Sequence, residues 1–298
     1  MWITGFTDAE GCFSVIIEIT NQLKWKVRAS FEINLHSKDS DILYRIRSFF
    51  GVGSVYNRIN KNISIYRVTN VKDLMHIIIP HFTMYSLISQ KKSDFLLWSK
   101  VVEMMANKDH LNKPGFLNIL SYYASINRGV SLKVQSFYPN IIPQPKPVLY
   151  LPPNLDPYWV SGFVSGDGGF SIYVNKSIDL VLGEKVYHAF HITQHSKDLE
   201  LMRLFVGFFG CGLVHVRSNP STPRCDFIVQ DKKSLINKII PHFSLYPLEN
   251  LKEKDFLDFK KGMVIVDNNK HNTEEGLCII KALSLSMNSR RDSVKSDS

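Results

Sequence analysis

Residues 2–13 read WITGFTDAEGCF, and residues 159–170 read WVSGFVSGDGGF. Trp, Gly and Phe recur in register, and each stretch places one carboxylate directly before a glycine, a residue that commonly terminates helices. Side chains four positions apart share one face of a helix. Each stretch therefore predicts a short helix that carries an aromatic pair, a pair of small residues and a single acid at its C-terminal end.

The two kinds of pair predict two kinds of packing. Small residues leave a flat side on which another backbone can approach closely, so the two helices are suitable partners for each other. The large aromatic residues can anchor each helix in the core of its own half of the chain. The small pairs are Gly5 with Ala9 and Gly162 with Gly166, and the aromatic pairs are Trp2 with Phe6 and Trp159 with Phe163.

The similarity continues along the chain, which indicates an internal duplication. The matched segments are FEINLHSKD (31–39) with FHITQHSKD (190–198), FFGVGSV (49–55) with FFGCGLV (208–214), IIPHFTMYSL (78–87) with IIPHFSLYPL (239–248), and SDFL (93–96) with KDFL (254–257). The offset between the copies drifts slightly, as expected when small insertions fall in loops. The two copies are therefore predicted to share one fold.

A proline-rich segment separates the copies. Residues 139–157, PNIIPQPKPVLYLPPNLDP, hold seven of the 13 prolines in the chain. Proline fixes φ and removes a backbone donor, so this segment is predicted to be an extended, semi-rigid linker. The predicted organisation is an N-terminal repeat (1–138), a linker (139–157) and a C-terminal repeat (158–298).

Each copy shows the same coarse pattern of elements, α-β-β-α-β-β-α. This order predicts an α+β fold in which an antiparallel sheet is covered by helices on one face. Ser37 and Ser196 are expected to cap the helix that follows the second strand. The first two strands are expected at 13–20 and 24–35 in one copy, and at 170–175 and 185–194 in the other.

The clearest strand is KWKVRASFEINL, residues 24–35, in which polar and apolar residues alternate strictly. Period-two alternation predicts that one face of the sheet packs on the core and the other meets a polar environment. That environment could be solvent alone. Basic and amide side chains on a long sheet face also suit readout of a DNA major groove.

The charge balance points to an anionic partner. The 298 residues include 36 Lys and Arg against 27 Asp and Glu, a net charge of +9. Nucleic acid is the first candidate, and an ordinary basic soluble protein is the alternative. No apolar run is long enough to span a bilayer, and we recognise no secretory leader or targeting peptide.

The cysteines do not form a metal-binding pattern. Cys12, Cys211, Cys225 and Cys278 are scattered and include no C-x-x-C pair. This distribution argues against a zinc site and favours a reducing compartment.

The paired acids, Glu10 and Asp167, predict a metal site. A carboxylate at a helix C-terminus faces the negative end of the helix dipole, and two such ends side by side would be strongly unfavourable. A divalent cation resolves this conflict, because Mg²⁺ prefers carboxylate, carbonyl and water oxygens. The carbonyls of Ala9 and Gly166, expected to be unsatisfied at these helix ends, could join the site. The alternative is that both acids are solvated surface residues.

These segments together resemble the paired signature helices of the LAGLIDADG homing endonucleases, in the single-chain form of fungal mitochondrial introns. The resemblance covers nearly the whole chain. It implies two pseudo-symmetric repeats whose signature helices pack at the centre and whose sheets form a saddle over DNA. It also implies that Glu10 and Asp167 bind catalytic Mg²⁺, for which Ca²⁺ or Mn²⁺ can substitute. Many members of this branch have Glu where Asp167 stands.

The resemblance places further groups around the metals. By position these are Lys91 and Lys252, with Gln194 in the second copy, where the first copy has Leu35. The two cleavage centres are therefore expected to differ chemically. For each lysine the alternative is a surface residue whose apolar stem lies along the protein.

The histidines that recur between the copies show no metal-ligand spacing. We expect them to cap or pack rather than to bind metal. They are His36, His81 and His110, matched by His195, His242 and His271.

The implied function is site-specific cleavage of both strands of a long, non-palindromic DNA target. Each sheet would cover roughly one helical turn, about 10 base pairs, and the whole site about 20. The protein is expected to act as a mitochondrial monomer that needs no protein partner and no membrane. Two alternatives remain open: an RNA maturase that assists intron splicing, and a catalytically inactive DNA-binding relative.

The outward faces of the two sheets are the predicted DNA-binding surface. Arg at such positions typically reads guanine, and Asn reads adenine. In the first copy this set is Ser14, Ile16, Glu18, Lys26, Arg28, Ser30, Glu32, Asn34, Ser54, Tyr56, Arg58 and Arg67; in the second it is Ser171, Tyr173, Asn175, Lys185, Tyr187, His191, Thr193, His215, Arg217, Arg224 and Asp226.

Overall fold

A computed structural model describes residues 1–19 and 24–288 of the chain. The chain divides into two units. The first unit consists of Met1, Ile3 and Thr7–Pro152. The second consists of Trp2, Thr4–Phe6 and the residues from Pro153 onward. Within the described ranges, no helix is both long and apolar enough to cross a membrane.

The first repeat follows the predicted order of elements. Its sheet strands are β1 (Gly11–Ile19), β2 (Trp25–His36), β3 (Ser54–Arg58) and β4 (Ile63–Val68). Its helices are α1 (Trp2–Glu10), α2 (Ser40–Phe50), α3 (Val71–Asp73), α4 (Ile79–Met84), α5 (Lys91–Ala106), α6 (Lys113–Tyr123) and α7 (Leu132–Phe137), with a π-helical turn, Leu74–Ile78, between α3 and α4.

The second repeat has the same order. Its strands are β5 (Gly168–Lys176), β6 (Glu184–His195), β7 (Leu213–Val216) and β8 (Arg224–Val229). Its helices are α8 (Pro157–Asp167), α9 (Leu199–Phe209), α10 (Lys232–Ser234), α11 (Ile240–Leu245), α12 (Lys252–Asp267) and α13 (Glu274–Leu285), with a π-helical turn, Leu235–Ile239, between α10 and α11.

Each repeat contains one four-stranded antiparallel sheet, which confirms the predicted α+β class. The strand orders are β1-β2-β4-β3 and β5-β6-β8-β7. The strand predicted at 13–20 begins earlier, at Gly11, and its last residue, Thr20, lies outside the described residues. Helix α8 begins at Pro157, the last residue of the predicted linker, because Asp156 accepts a hydrogen bond from Trp159 N (2.9 Å) and proline suits the first helical turn.

Phenylalanines on the inner face of each sheet form the core that the helices cover. Phe13 and Phe31 stack with ring centroids 5.2 Å apart, and Phe13 also meets Trp98 of α5 at 5.1 Å. In the second repeat Phe170 and Phe190 repeat the stack at 5.1 Å. The core therefore lies on one face of each sheet and leaves the opposite, polar face outward.

The predicted serine caps are wrong. The turn Ser37–Asp39 is capped by His36, whose Nδ1 accepts a hydrogen bond from Lys38 N (3.3 Å). His195 does the same for Lys197 N at 3.1 Å. The imidazole of the last strand residue thus takes the position expected for the serine hydroxyl. This agrees with a capping role for these two histidines.

Glycine permits a close backbone approach inside the second unit. Trp2 and Thr4–Phe6 of α1 belong to this unit and meet α8 there. A Cβ on Gly162 would overlap the Trp2 carbonyl oxygen and lie 2.8 Å from Phe6 N. A Cβ on Gly5 would overlap the Trp159 carbonyl oxygen in the same way. Gly5 and Gly162 therefore have the role that the sequence predicted, and the same role for Ala9 and Gly166 stays a prediction.

The aromatic pairs behave differently from each other. Trp159 and Phe163 stack at 4.8 Å, and Phe163 also meets Phe205 of α9 at 5.9 Å, so this pair anchors its helix in its own repeat. Trp2 and Phe6 stack at 4.9 Å but group with the second unit. This grouping reflects the backbone approach at Gly162, and Phe6 is fully buried, so the anchoring of α1 in the first repeat by this pair stays a prediction.

A buried histidine and a glycine form a volume-matched pair in the second core. His188 is 3% exposed, and a Cβ on Gly262 would lie 2.8 Å from its Nε2. The matching positions of the first repeat hold Ala29 and Val101, which are also buried. A large residue on the strand thus requires a small residue on the covering helix. Burial lowers the pKa of His188 to about 4, and the nearby charge of His271 adds to this shift.

We predict that Gly162→Leu lowers the thermal stability strongly, because a large side chain cannot enter a backbone-to-backbone contact. The melting temperature checks this. Gly207→Leu is the matched control, since a Cβ at that helical glycine meets no atom within 4 Å. An unchanged melting temperature in the Gly162 variant would contradict the close packing of α1 residues on α8.

We also predict that the free energy of unfolding falls as the pH falls from about 6.5 toward 4. The unfolded chain protonates His188 near 6.5, whereas the folded chain keeps it neutral down to about 4. This group contributes a slope of up to about 1.4 kcal/mol per pH unit. The double variant His188→Ala, Gly262→Val reproduces the pair of the first repeat and should have a shallower slope in urea unfolding. Identical slopes would contradict the prediction.

Candidate functional site

The strand register places the predicted outward residues of the first sheet on one face. Residues directly opposite each other in an antiparallel sheet point to the same side. The paired positions are Ser14 with Ser30, Ile16 with Arg28, Glu18 with Lys26, Glu32 with Arg67, and Arg67 with Ser54. Ser30 and Glu32 are nevertheless buried by their neighbours, at 3% and 9% exposure.

The second sheet has an equivalent polar face. Its paired positions are Tyr173 with Tyr187, Asn175 with Lys185, Thr193 with Asp226, and His215 with Asp226. The rings of Tyr173 and Tyr187 stack at 4.8 Å, and Asn175 Nδ2 donates to Tyr187 Oη (3.1 Å). Contacts along this face therefore hold several of its side chains in fixed positions.

Acids on these faces pair with arginines. Arg217 Nε donates to Asp226 Oδ2 at 2.7 Å, and this hydrogen bond is the main reason that the pKa of the Asp226 carboxyl is lowered. Arg67 pairs with Glu32, and Arg28 pairs with Glu18. Part of the positive charge of the face is thus balanced within the face itself.

The two predicted metal acids end the signature helices. Glu10 is the last residue of α1 and Asp167 is the last residue of α8. The glycine that follows each acid is extended, with φ of −74° at Gly11 and −87° at Gly168. Each glycine is also the first residue of a strand, so each acid stands where a helix turns directly into a sheet.

The predicted lysines lie at the same helix ends. Lys91 Nζ donates to the carbonyl oxygens of Thr7 (3.0 Å) and Ala9 (3.1 Å). Lys252 Nζ donates to the carbonyl oxygens of Gly166 (2.7 Å) and Gly168. An ammonium group at a helix C-terminus offsets the negative end of the dipole. The lysines therefore stabilise the turns that present the acids.

This arrangement corrects the expectation that the Ala9 and Gly166 carbonyls lack partners. Each accepts a hydrogen bond from a lysine that lies more than 80 residues later in the chain. A carbonyl oxygen has two lone pairs, so one lone pair of each is engaged.

The surroundings of the two acids differ as the sequence indicated. Gln194 Nε2 donates a hydrogen bond to the Asp167 carboxylate. Leu35, at the matching position of β2, has no polar group that could do this for Glu10. A cleft of about 760 Å³ opens beside Asp167 and is also lined by His191, Gln194 and Arg224.

Sequence reasoning missed the residues that join each signature helix to the loop before its lysine. Asp8 accepts hydrogen bonds from Ile88 N (3.0 Å), Ser89 N (3.2 Å) and Ser89 Oγ (2.6 Å). In the second repeat Asn250 Nδ2 donates to Ser165 O (2.9 Å). The signal in the sequence that could have identified Asp8 is the second acid in the signature stretch of the first repeat, two residues before Glu10.

Each helix end offers few side chains that could bind a metal ion. Among residues 1–19 and 24–288, no group of three or more His, Cys, Asp or Glu could hold a metal ion. Mg²⁺ in proteins commonly takes one or two carboxylates and completes its shell with water and substrate phosphate oxygens. One carboxylate at each helix end therefore fits a hard cation that shares its ligands with a phosphate.

The chain is similar to known proteins over nearly its whole length. The family model described as LAGLIDADG endonuclease matches residues 3–102 and 160–263. "Probable intron-encoded endonuclease 2" of Neurospora crassa is 35% identical in an alignment of 289 residues that covers 93% of this chain and 62% of that protein. "Probable intron-encoded endonuclease 3" of the same fungus is 33% identical and covers 97% of this chain. This chain spans 54% of that second relative.

Solved structures match the fold closely. Meganuclease I-SmaMI bound to uncleaveable DNA has a TM-score of 0.93 at 38% identity, with 97% of each chain covered. The LAGLIDADG homing endonuclease I-LtrWI bound to target DNA has a TM-score of 0.93 at 36% identity, again with 97% of each chain covered. Both repeats, both sheets and both signature helices agree with the family pattern, and the chain belongs to the LAGLIDADG endonuclease family.

Proposed function

We propose that this chain is a site-specific endonuclease that breaks both strands of a long, non-palindromic DNA duplex by metal-dependent hydrolysis. The observation that carries this proposal is the repeated helix end, in which a lysine ammonium group binds the carbonyl of the residue directly before the terminal carboxylate. Each helix end leads directly into a sheet with a polar outward face. The solved relative I-SmaMI bound to cleaved DNA supports the same activity.

The residues fit a divalent cation, and we propose Mg²⁺ as the natural ion. Glu10 and Asp167 would hold it, with the Ala9 and Gly166 carbonyls contributing through their remaining lone pairs. When bound, the cation supplies Lewis acidity to the phosphodiester. Ca²⁺ or Mn²⁺ could replace it in binding, and one I-SmaMI structure has uncleaved DNA together with calcium ions.

The protein groups around the acids have separate tasks in this mechanism. Lys91 and Lys252 place a positive charge where negative charge grows on the phosphate in the transition state. Gln194 orients the Asp167 carboxylate through its hydrogen bond. Because Leu35 cannot orient Glu10 in this way, the two DNA strands are cut by chemically unlike centres.

The proposed partner is double-stranded DNA. The outward sheet faces would lie in the major groove, each over about 10 base pairs, so the target would span about 20. The protein would act as a monomer, because one chain contains both repeats. Intron-encoded relatives and a relative named as a mitochondrial protein of Saccharomyces cerevisiae support a mitochondrial location. The presence of both acids favours a nuclease over an inactive DNA-binding relative.

We predict that Glu10→Gln and Asp167→Asn each lower double-strand cleavage by at least about 100-fold, while DNA affinity measured without divalent cations stays unchanged. The assay incubates the protein with Mg²⁺ and a plasmid library of candidate insertion sites, and it measures linear product. Glu200→Gln, an exposed acid on α9, is the control and should cut normally. A normal double-strand cleavage rate in either site variant would contradict the metal assignment.

We predict that Arg28→Ala and Arg217→Ala change base preference in different half-sites of a cleaved target. A base-reading arginine contributes about 1–3 kcal/mol at its own base pair, whereas a phosphate contact changes the slope of log affinity against log salt by about 0.9. Affinities for every single-base variant of the target separate these roles. If both variants acted on one half-site, the assignment of one sheet to each half-site would be wrong.

A further inference from the structure

An arginine on the second sheet is held from the side by a buried acid. Arg217 Nε donates to Asp226 Oδ2 (2.7 Å), and Arg217 Nη2 donates to Asp226 Oδ1 (2.8 Å). Thr193 Oγ1 donates to Asp226 Oδ1 (2.6 Å) as well. The Asp226 side chain is 9% exposed, whereas that of Arg217 is 44% exposed. The acid therefore lies beneath the face, and the arginine lies above it.

The first sheet contains an equivalent group. Arg67 Nη2 donates to Glu32 Oε2 (3.0 Å), and Arg67 Nε lies 2.8 Å from Glu32 Oε1. Ser30 Oγ donates to Glu32 Oε1 (2.7 Å). The Arg67 guanidinium lies over the Tyr56 ring, 5.1 Å from its centroid. An acid, an arginine and a hydroxyl thus meet on the outward face of each sheet.

These two groups are not copies inherited from the duplication. Glu32 and Arg67 face each other across β2 and β4, where the second sheet has His191 and Ile228. Asp226 is opposite Thr193 on β6, and the matching position of the first sheet, opposite Asn34, is Ile65. The same arrangement is therefore built from different positions in the two sheets, which indicates that the arrangement itself has a use.

The contact with the acid determines which edge of each guanidinium group remains for binding a DNA base. In Arg217 the acid engages Nε and one N–H of Nη2, and in Arg67 the hydrogen bond engages one N–H of Nη2. In both arginines Nη1 and the second N–H of Nη2 form the edge that takes no part in this contact. That end-on edge is the one whose spacing matches O6 and N7 of guanine in the major groove. An arginine fixed in advance also loses less side-chain entropy when it binds.

A carboxylate on a DNA-facing surface needs a reason, because it cannot donate to phosphates and it repels them. Here we propose that Asp226 and Glu32 are positioning residues for specificity. They hold Arg217 and Arg67 so that the end-on edges of these arginines read guanine, and they do not contact DNA themselves. This inference rests on the proposed DNA-binding function of the sheet faces.

A third acid–arginine pair, which lies on the first sheet, shows how such a pair differs when its acid is exposed. Glu18 and Arg28 are bonded to each other, but their side chains are 49% and 47% exposed. Solvent screens such a pair and leaves both side chains able to rearrange. Glu18 therefore lacks the burial that would let it fix its arginine.

The test selects preferred sequences from randomised duplex DNA in the absence of divalent cations, using the whole chain. The proteins are the wild type, Asp226→Asn, Arg217→Lys and, as a control, Glu200→Gln, which removes an exposed acid that pairs with Arg203 on α9. We expect Asp226→Asn to lose about 5- to 150-fold discrimination at guanine positions of one half-site. Its affinity for unrelated DNA should rise, and its salt slope should steepen by up to about 0.9, because one arginine charge is freed for phosphates.

Arg217→Lys keeps the positive charge but lacks the planar guanidinium group that can donate two parallel hydrogen bonds. It should therefore lose the same discrimination for guanine without a gain in affinity for unrelated DNA. Because Arg217 is exposed, this variant tests the inference even if Asp226→Asn fails to fold. Glu200→Gln should keep the wild-type preference, because this acid lies on α9 and not on a sheet face.

Two results would overturn the inference. The first is wild-type preference in Arg217→Lys. The second is an Asp226→Asn variant that folds but weakens binding equally on all sequences, as a purely structural acid would. A wild-type protein that selects no sequence would instead overturn the DNA-binding function itself, and this result separates the two failures.

Discussion

The close approach of two backbones at Gly5 and Gly162 is the constraint on which the functional geometry depends. No side chain fits at either position, so residues of α1 and α8 meet through their main chains. Each helix runs without a loop into the first strand of a sheet. The position of the helix therefore fixes the position of the acid at its end and the start of the polar sheet face.

Electrostatic interactions stabilise the helix ends that this packing positions. A carboxylate at a helix C-terminus is unfavourable, and the ammonium groups of Lys91 and Lys252 reduce this penalty by binding the terminal carbonyls. Asp8 ties the loop before α5 to α1, which keeps Lys91 at its helix end. Charge is thus balanced at the helix ends by residues distant in sequence, and on the sheet faces by acids next to arginines.

Patterns of spacing within the sequence predicted most of the fold. The duplication, the strand alternation of residues 24–35 and the small faces of the signature helices all follow from spacing, and the structure shows each of them. Contacts between distant residues could not be read in this way. The lysine bonds to Ala9 and Gly166, the Asp8 contacts and the grouping of Trp2 with the second unit all depend on tertiary packing. The serine caps failed because a neighbouring imidazole can accept the same hydrogen bond.

The His188–Gly262 pair has a consequence for how this gene can evolve. The first repeat fills the matching space with Ala29 and Val101, so each repeat has its own combination of large and small residues. Gene conversion that exchanged only the strand or only the helix would join His with Val, which overpacks the core, or Ala with Gly, which leaves a cavity. The two matched pairs therefore disfavour recombination between the two halves of the duplicated gene. Because each half keeps its own sequence, the DNA preferences of the two sheets can diverge.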